Sequence, residues 1–170
     1  MNKTIFLVGA RAAGKTTMGK MLANTLSFSF IDTDYHLLET TKKTVAEIVE
    51  KEGWEGFRAR ESQVLIDTAK PNCVIATGGG MVLADHNRDF MKQNGTVIFL
   101  LASAATLTAR LMKDPNVAQR PSLTGLSIID EMEKILAERL PLYHDAAHHV
   151  INVDQDESLV LAKMLEILKS

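Results

Sequence analysis

Gly9-Ala10-Arg11-Ala12-Ala13-Gly14-Lys15-Thr16 sets two glycines, a lysine and a hydroxyl at the spacing G-x-x-x-x-G-K-[ST]. That combination suits a polyphosphate. Backbone N–H groups left unpaired in a glycine turn, aided by the positive end of a following helix, attract phosphate oxygens. Lys15 would reach the β and γ oxygens of a bound ATP, and the Thr16 hydroxyl would ligate Mg²⁺. Ala12, Ala13, Gly14, Lys15, Thr16 and Thr17 are therefore the candidate nucleotide contacts. The setting gives the motif its specificity. The apolar run Thr4-Ile5-Phe6-Leu7-Val8 before it reads as a buried strand, and Met18, Met21, Leu22 and Leu26 after it recur at helical spacing.

Asp32-Thr33-Asp34 ends the next short apolar run. At the carboxyl end of a parallel strand two acids can divide labour: Asp32 could hold Mg²⁺ while Asp34 orients a substrate hydroxyl. The competing reading is that Asp34 caps a helix, and the D-x-D pattern alone leaves both open. Arg58 and Glu61 stand three apart on a helical stretch, which by itself describes a surface ion pair. Gly78-Gly79-Gly80 is more specific, because three glycines closing a core strand let a ligand approach the backbone. Arg120-Pro121 falls in a segment with two prolines, a glycine and few apolar anchors, and Arg139 stands near a helix end before Pro141.

The elements that must position these residues alternate. Apolar runs at Thr4 to Val8, Phe28 to Ile31, Cys73 to Ala76, Thr96 to Leu101 and His149 to Val153 are separated by helical periodicity, which implies parallel strands joined by helical crossovers. Between Asp34 and Ala69 the pattern is helical and polar, so a helical insertion follows the second strand. The chain of 170 residues is the length of one domain, with 46% hydrophobic and 24% charged residues. A net charge of -2 gives no basic footprint for nucleic acid, and no apolar run approaches the roughly 20 residues of a membrane span. The one cysteine, Cys73, excludes an internal disulfide and reads as a small core residue. A cytoplasmic monomer is expected. His144, His148 and His149 lack the partner spacing of a metal site, the eight methionines read as core filler, and Trp54 is open between substrate stacking and anchoring the insertion.

Residues 9 to 17, Asp32-Thr33-Asp34, Phe57-Arg58-Ala59-Arg60-Glu61, Gly78-Gly79-Gly80, Arg120-Pro121 and Arg139-Leu140-Pro141-Leu142-Tyr143 together resemble the shikimate kinases in order and spacing, over nearly the whole chain. Thr44-Val45-Ala46-Glu47-Ile48-Val49 resembles the second isoenzyme type of enteric bacteria. The resemblance implies a magnesium-dependent enzyme of aromatic amino acid biosynthesis that makes shikimate 3-phosphate and ADP from shikimate and ATP. It implies that Asp34 binds substrate hydroxyls, that Arg58 and Arg139 bind the carboxylate, that Arg11 and Gly79 lie at the substrate, and that Arg120 closes over ATP beside Lys15 and Asp34 as the catalytic set. It also implies a three-layer P-loop kinase fold with a parallel sheet ordered 2-3-1-4-5, a substrate-binding insertion at about 33–61 and a lid at about 112–126.

Two departures carry expectations. Ala12 replaces a glycine usual in the family's loop, so the backbone there should avoid a conformation suited only to glycine. Asn152-Val153 stands where the family often has Asp-Ala or Asp-Thr, and Glu157 where a proline is common, so the departures fall on the loop that the resemblance implies contacts adenine. A kinase of another small hydroxylated acid such as gluconate is the rival within enzymes. A nucleotide-binding switch without turnover is the rival outside them, weakened because no N-K-x-D motif occurs.

Overall fold

Continuous apolar strands need cover on both faces, and the chain supplies it with helices. A computed structural model of the chain describes residues 3–113 and 128–169. Five strands form one parallel sheet in the order β2-β3-β1-β4-β5, where β1 is Thr4–Val8, β2 Ser29–Asp32, β3 Cys73–Ala76, β4 Thr96–Leu101 and β5 His149–Asn152. Register pairs Ile5 with Val74 and with Thr96, Asp32 with Ala76, and Leu101 with Asn152. Ile5, Phe6, Leu7, Val74, Ile75, Val97 and Ile98 are fully buried, which anchors the sheet centre. Cys73 is buried in β3 as expected.

Helix α1 (Lys15–Leu26) packs with α7 (Glu157–Lys169), and α4 (Asp85–Asn94) packs with α6 (Ile128–Ala146), beside which lies α5 (Ala104–Met112). Since every strand runs the same way, the segments leaving β1, β2, β3, β4 and β5 emerge at one edge of the sheet, where ligands of open α/β sheets bind.

The expected insertion is a pair of helices, α2 (Thr33–Thr41) and α3 (Val45–Thr68). They share an apolar cluster of Leu37, Ile48, Phe57 and Val64, against which Trp54 packs. Thr44 and Glu47 form a reciprocal capping box at the start of α3. Gly53, at φ 74 and ψ 174, breaks α3 in its middle with a conformation open essentially to glycine. Arg60 spans the break, gripping both carboxylate oxygens of Glu52 at 2.9 to 3.1 Å. Trp54 meets Phe57 edge to face and lies 5.2 Å from the Arg58 guanidinium, so its contacts are those of an anchor within the insertion.

One sequence expectation changes and one open alternative is decided. The helix bearing Arg139 does not stop before Pro141 but runs to Ala146. Pro141 has no N–H for the preceding turn, yet Tyr143 and Ala146 are buried beyond it and hold the last turns against the sheet. The cap of α2 is Asp32, not Asp34: Asp32 Oδ1 accepts from Asp34 N at 3.0 Å and Tyr35 N at 3.1 Å. Asp34 is thereby released from capping.

Candidate active site

A cleft of about 700 Å³ opens at the carboxyl edge of the sheet. Arg11, Ala12, Ala13, Gly14, Lys15, Thr16, Thr17, Asp32, Asp34 and Gly79 all line it, so most of the expected site residues are brought together. Arg120 and most of the expected lid lie outside the described residues. Gly78 and Gly80 flank the lining residue Gly79, and Arg58 and Arg139 lie against this glycine segment.

The phosphate loop is shaped by close packing. A Cβ at Gly9 would lie 2.8 Å from Leu100 O, so the chain can cross the end of β4 there only as glycine. Ala13 N then donates to Ala10 O at 3.1 Å, closing a tight turn. Ala12 corrects the expectation for it: its φ is 70, inside the left-handed region. An L-residue there costs about 1–2 kcal/mol, which the smallest side chain with a Cβ bears with least crowding. Arg110 Nη1 holds the same residue from outside, donating to Ala12 O at 3.2 Å. Lys15 is 9% exposed, and its ammonium donates to Gly9 O at 2.5 Å and Ala10 O at 3.2 Å. The charge is thus stored against the loop that would wrap the phosphates.

At the end of β2, Thr16 Oγ1 donates to Asp32 Oδ2 at 2.6 Å. Two hard oxygen donors stand side by side, which fits a magnesium ion that takes its remaining ligands from phosphate and water. Among the described residues no cluster of three or more His, Cys, Asp or Glu is arranged to hold a metal alone. His148 instead accepts from Val97 N at 3.0 Å, and His144 lies edge-on to Phe99.

The segment after β3 explains the glycines. A Cβ on Gly78 would lie 2.8 Å from Asp34 Oδ1 and 2.9 Å from Glu61 Oε2. On Gly79 it would stand 3.3 Å from Arg11 N and 3.7 Å from Arg139 Nη1. On Gly80 it would be 2.6 Å from Arg58 Cζ and closer still to Nη1. Asp34, Arg139 and Arg58 therefore converge on three consecutive residues although they come from α2, α6 and α3. The ion pair expected of Arg58 is present, with Nη1 2.9 Å from Glu61 Oε1, but Glu61 is 3% exposed, so it holds the guanidinium in place instead of decorating a surface.

Sequence reasoning passed over three residues here. Arg110, in the last turn of α5, reaches the phosphate loop, but an arginine at a helix C-terminus carries no distinguishing signal. Thr33, 2% exposed, accepts Gly78 N at 3.0 Å. Tyr143 was visible inside the Arg139-Leu140-Pro141-Leu142-Tyr143 run, though without a role. Val153, Gln155 and Glu157 also line the cleft. Asn152 performs there the turn an aspartate would make, its Oδ1 accepting Asp154 N at 2.7 Å. Burial raises the pKa of the neighbouring Asp154, but the Ser103 amide, the Thr106 and Ser103 hydroxyls and the Arg110 charge outweigh it, so the carboxyl titrates below its usual value.

The family model described as Shikimate kinase matches residues 11–169. A relative named Shikimate kinase 2, from Syntrophotalea carbinolica, is 56% identical over 169 residues, covering 99% of this chain and 98% of its own. The structure of a shikimate kinase from Acinetobacter baumannii in complex with shikimate superposes with a TM-score of 0.91 at 36% identity, over 98% of this chain and 92% of that one. A gluconokinase from Sinorhizobium meliloti, covering 98% of this chain and 95% of that one, shares only the fold at 14% identity and a TM-score of 0.56. From the phosphate loop to the last helix, the chain belongs to the shikimate kinase family.

Proposed function

We propose that this chain transfers the γ-phosphoryl group of ATP to the 3-hydroxyl of shikimate, within a single domain spanning residues 1–170. The observation that carries this reading is the convergence of Asp34, Arg58 and Arg139 on the triglycine segment, in a cleft whose other wall is the phosphate loop. A small acid bearing hydroxyls matches that pairing of one carboxylate with two guanidiniums.

Arg58 and Arg139 grip the carboxylate, with Arg11 beside Gly79, and the Asp34 carboxylate accepts a hydrogen bond from the ring hydroxyl and points its oxygen at the γ-phosphorus. Lys15 leaves the Gly9 and Ala10 carbonyls for the β and γ oxygens, while the loop amides of Ala13, Gly14, Lys15, Thr16 and Thr17 hold the phosphates. Thr16 and Asp32 would hold a magnesium ion, which would supply positive charge to offset that of the phosphates. Arg110 and the segment from Val153 to Glu157 border the nucleotide's other end, and Arg120, on a lid at about 112–126, adds charge and excludes water. Catalysis is positioning plus charge neutralisation, since the phosphoryl group passes in line between two oxygens.

The relevant experiment measures ADP release with shikimate and with gluconate as acceptors. Turnover that depends on shikimate and is negligible with gluconate is expected. Equal or greater turnover with gluconate would overturn the reading.

A further inference from the structure

The triglycine segment is pinned at two buried points: Gly78 N donates to the Thr33 hydroxyl at 3.0 Å, and Gly79 O accepts from Tyr143 Oη at 2.7 Å. Tyr143 is 1% exposed, and its ring stacks on Phe99 with centroids 5.0 Å apart and planes inclined by 28°. Phe99 belongs to β4 and is itself 1% exposed, so the phenol is braced on the sheet. Tyr143 also stands four residues after Arg139 on α6, and residues four apart share one face of a helix. The face of α6 that brings the Arg139 guanidinium to Gly79 therefore brings a hydroxyl to that residue's carbonyl.

We propose that Tyr143 is a positioning residue for binding of the substrate acid. The inference rests on the shikimate reading above. The carbonyl of Gly79 and the N–H of Gly80 belong to one rigid peptide plane. Fixing Gly79 O thus fixes the orientation of that plane and the place of Gly80, against which Arg58 lies. Since Arg139 comes from the same helix as the hydroxyl, the bond sets the spacing between the two guanidiniums that hold the carboxylate. A buried carbonyl deprived of its donor turns towards another one, and here that rotation carries Gly80 with it. Phenylalanine would fill the same space and keep the stack on Phe99, but would not hold the plane.

Tyr143→Phe in the full chain tests this. The KM for shikimate should rise roughly fivefold, within the ~2- to 12-fold that one neutral hydrogen bond is worth, while the KM for ATP stays at the parent value. For a shikimate analogue with the carboxylate reduced to an alcohol, the ratio of variant to parent should fall towards one. Thr68→Val removes another buried hydroxyl bond, to Val64 O at 2.8 Å, at the far end of α3. It should lower the melting temperature and leave both KM values unchanged. The proposal is overturned if Tyr143→Phe leaves the shikimate KM at the parent value, raises both KM values together, or weakens acid and alcohol by the same factor. A parent chain that used gluconate in place of shikimate would refute the function itself, a result read from the parent alone and so distinct from any of these.

Discussion

Replacing Gly80 with alanine places one methyl group against the Arg58 guanidinium. A Cβ there would stand 2.6 Å from both Cζ and Nη2, whereas carbon and nitrogen in contact prefer about 3.5–4.0 Å. The guanidinium must therefore recede by about 1 Å, and misplacing a positioning group by that much can cost about 10²-fold. The backbone does not resist the change, since Gly80 sits at φ −98 and ψ 5, a conformation alanine adopts. Gly80→Ala should thus lower kcat/KM for shikimate about 10²-fold, shift the melting temperature little, and leave calorimetric affinity for a non-hydrolysable ATP analogue near the parent value. Because the methyl acts through Arg58, adding Arg58→Ala to Gly80→Ala should cost little beyond Arg58→Ala alone. Full kcat/KM in Gly80→Ala, or additive losses in the double variant, would refute a role for Arg58 set by its contact with Gly80.

Lys15→Met keeps the stem but removes the ammonium now held by Gly9 O and Ala10 O; turnover should fall about 10²–10³-fold or more, with an unchanged circular dichroism spectrum. Asp34→Asn should reduce kcat strongly while ATP-analogue affinity stays nearly constant, and a parallel loss of nucleotide affinity would move Asp34 to the metal site. Partial burial, with the charges of His149 and Lys92, holds His148 below its usual pKa. The unfolded chain therefore binds the extra proton first, so this contribution to stability is complete above about pH 6.5 and is lost as pH falls through the lower folded value. His148→Asn keeps an acceptor for Val97 N without titrating, so urea midpoints at pH 7.5 and 5.5 should differ less than in the parent; an equal difference would contradict this.

The strands were legible because parallel, doubly covered strands are written as unbroken apolar runs such as Ile5 to Val8, and the phosphate loop because its glycines and lysine have one physical use. Strand order came from resemblance, as periodicity carries no information about which strand lies beside which. The break at Gly53 was hidden, since a glycine within a helical pattern signals only a cost of about 1 kcal/mol. Ala12 was misjudged because the turn closed by Ala13 N and Ala10 O demands a left-handed residue whatever side chain stands there. Arg110 and Thr33 act through contacts 98 and 45 residues away in sequence, which local pattern cannot register. Which acid of Asp32-Thr33-Asp34 caps a helix could not be read from the D-x-D pattern, because either can accept from the backbone N–H groups that follow, and here Asp32 does.

The most direct test concerns the two arginines, which come from different helices but end on neighbouring glycines. Arg58→Ala and Arg139→Ala should each weaken binding of shikimate by roughly 10- to 150-fold, the worth of a charge-assisted hydrogen bond, and leave ATP-analogue binding nearly intact. The carboxylate-reduced alcohol should bind the parent poorly and lose much less on either substitution. If both variants lost the same factor for the acid and the alcohol, the arginines would not hold the carboxylate, and the assignment of this cleft to shikimate would fail.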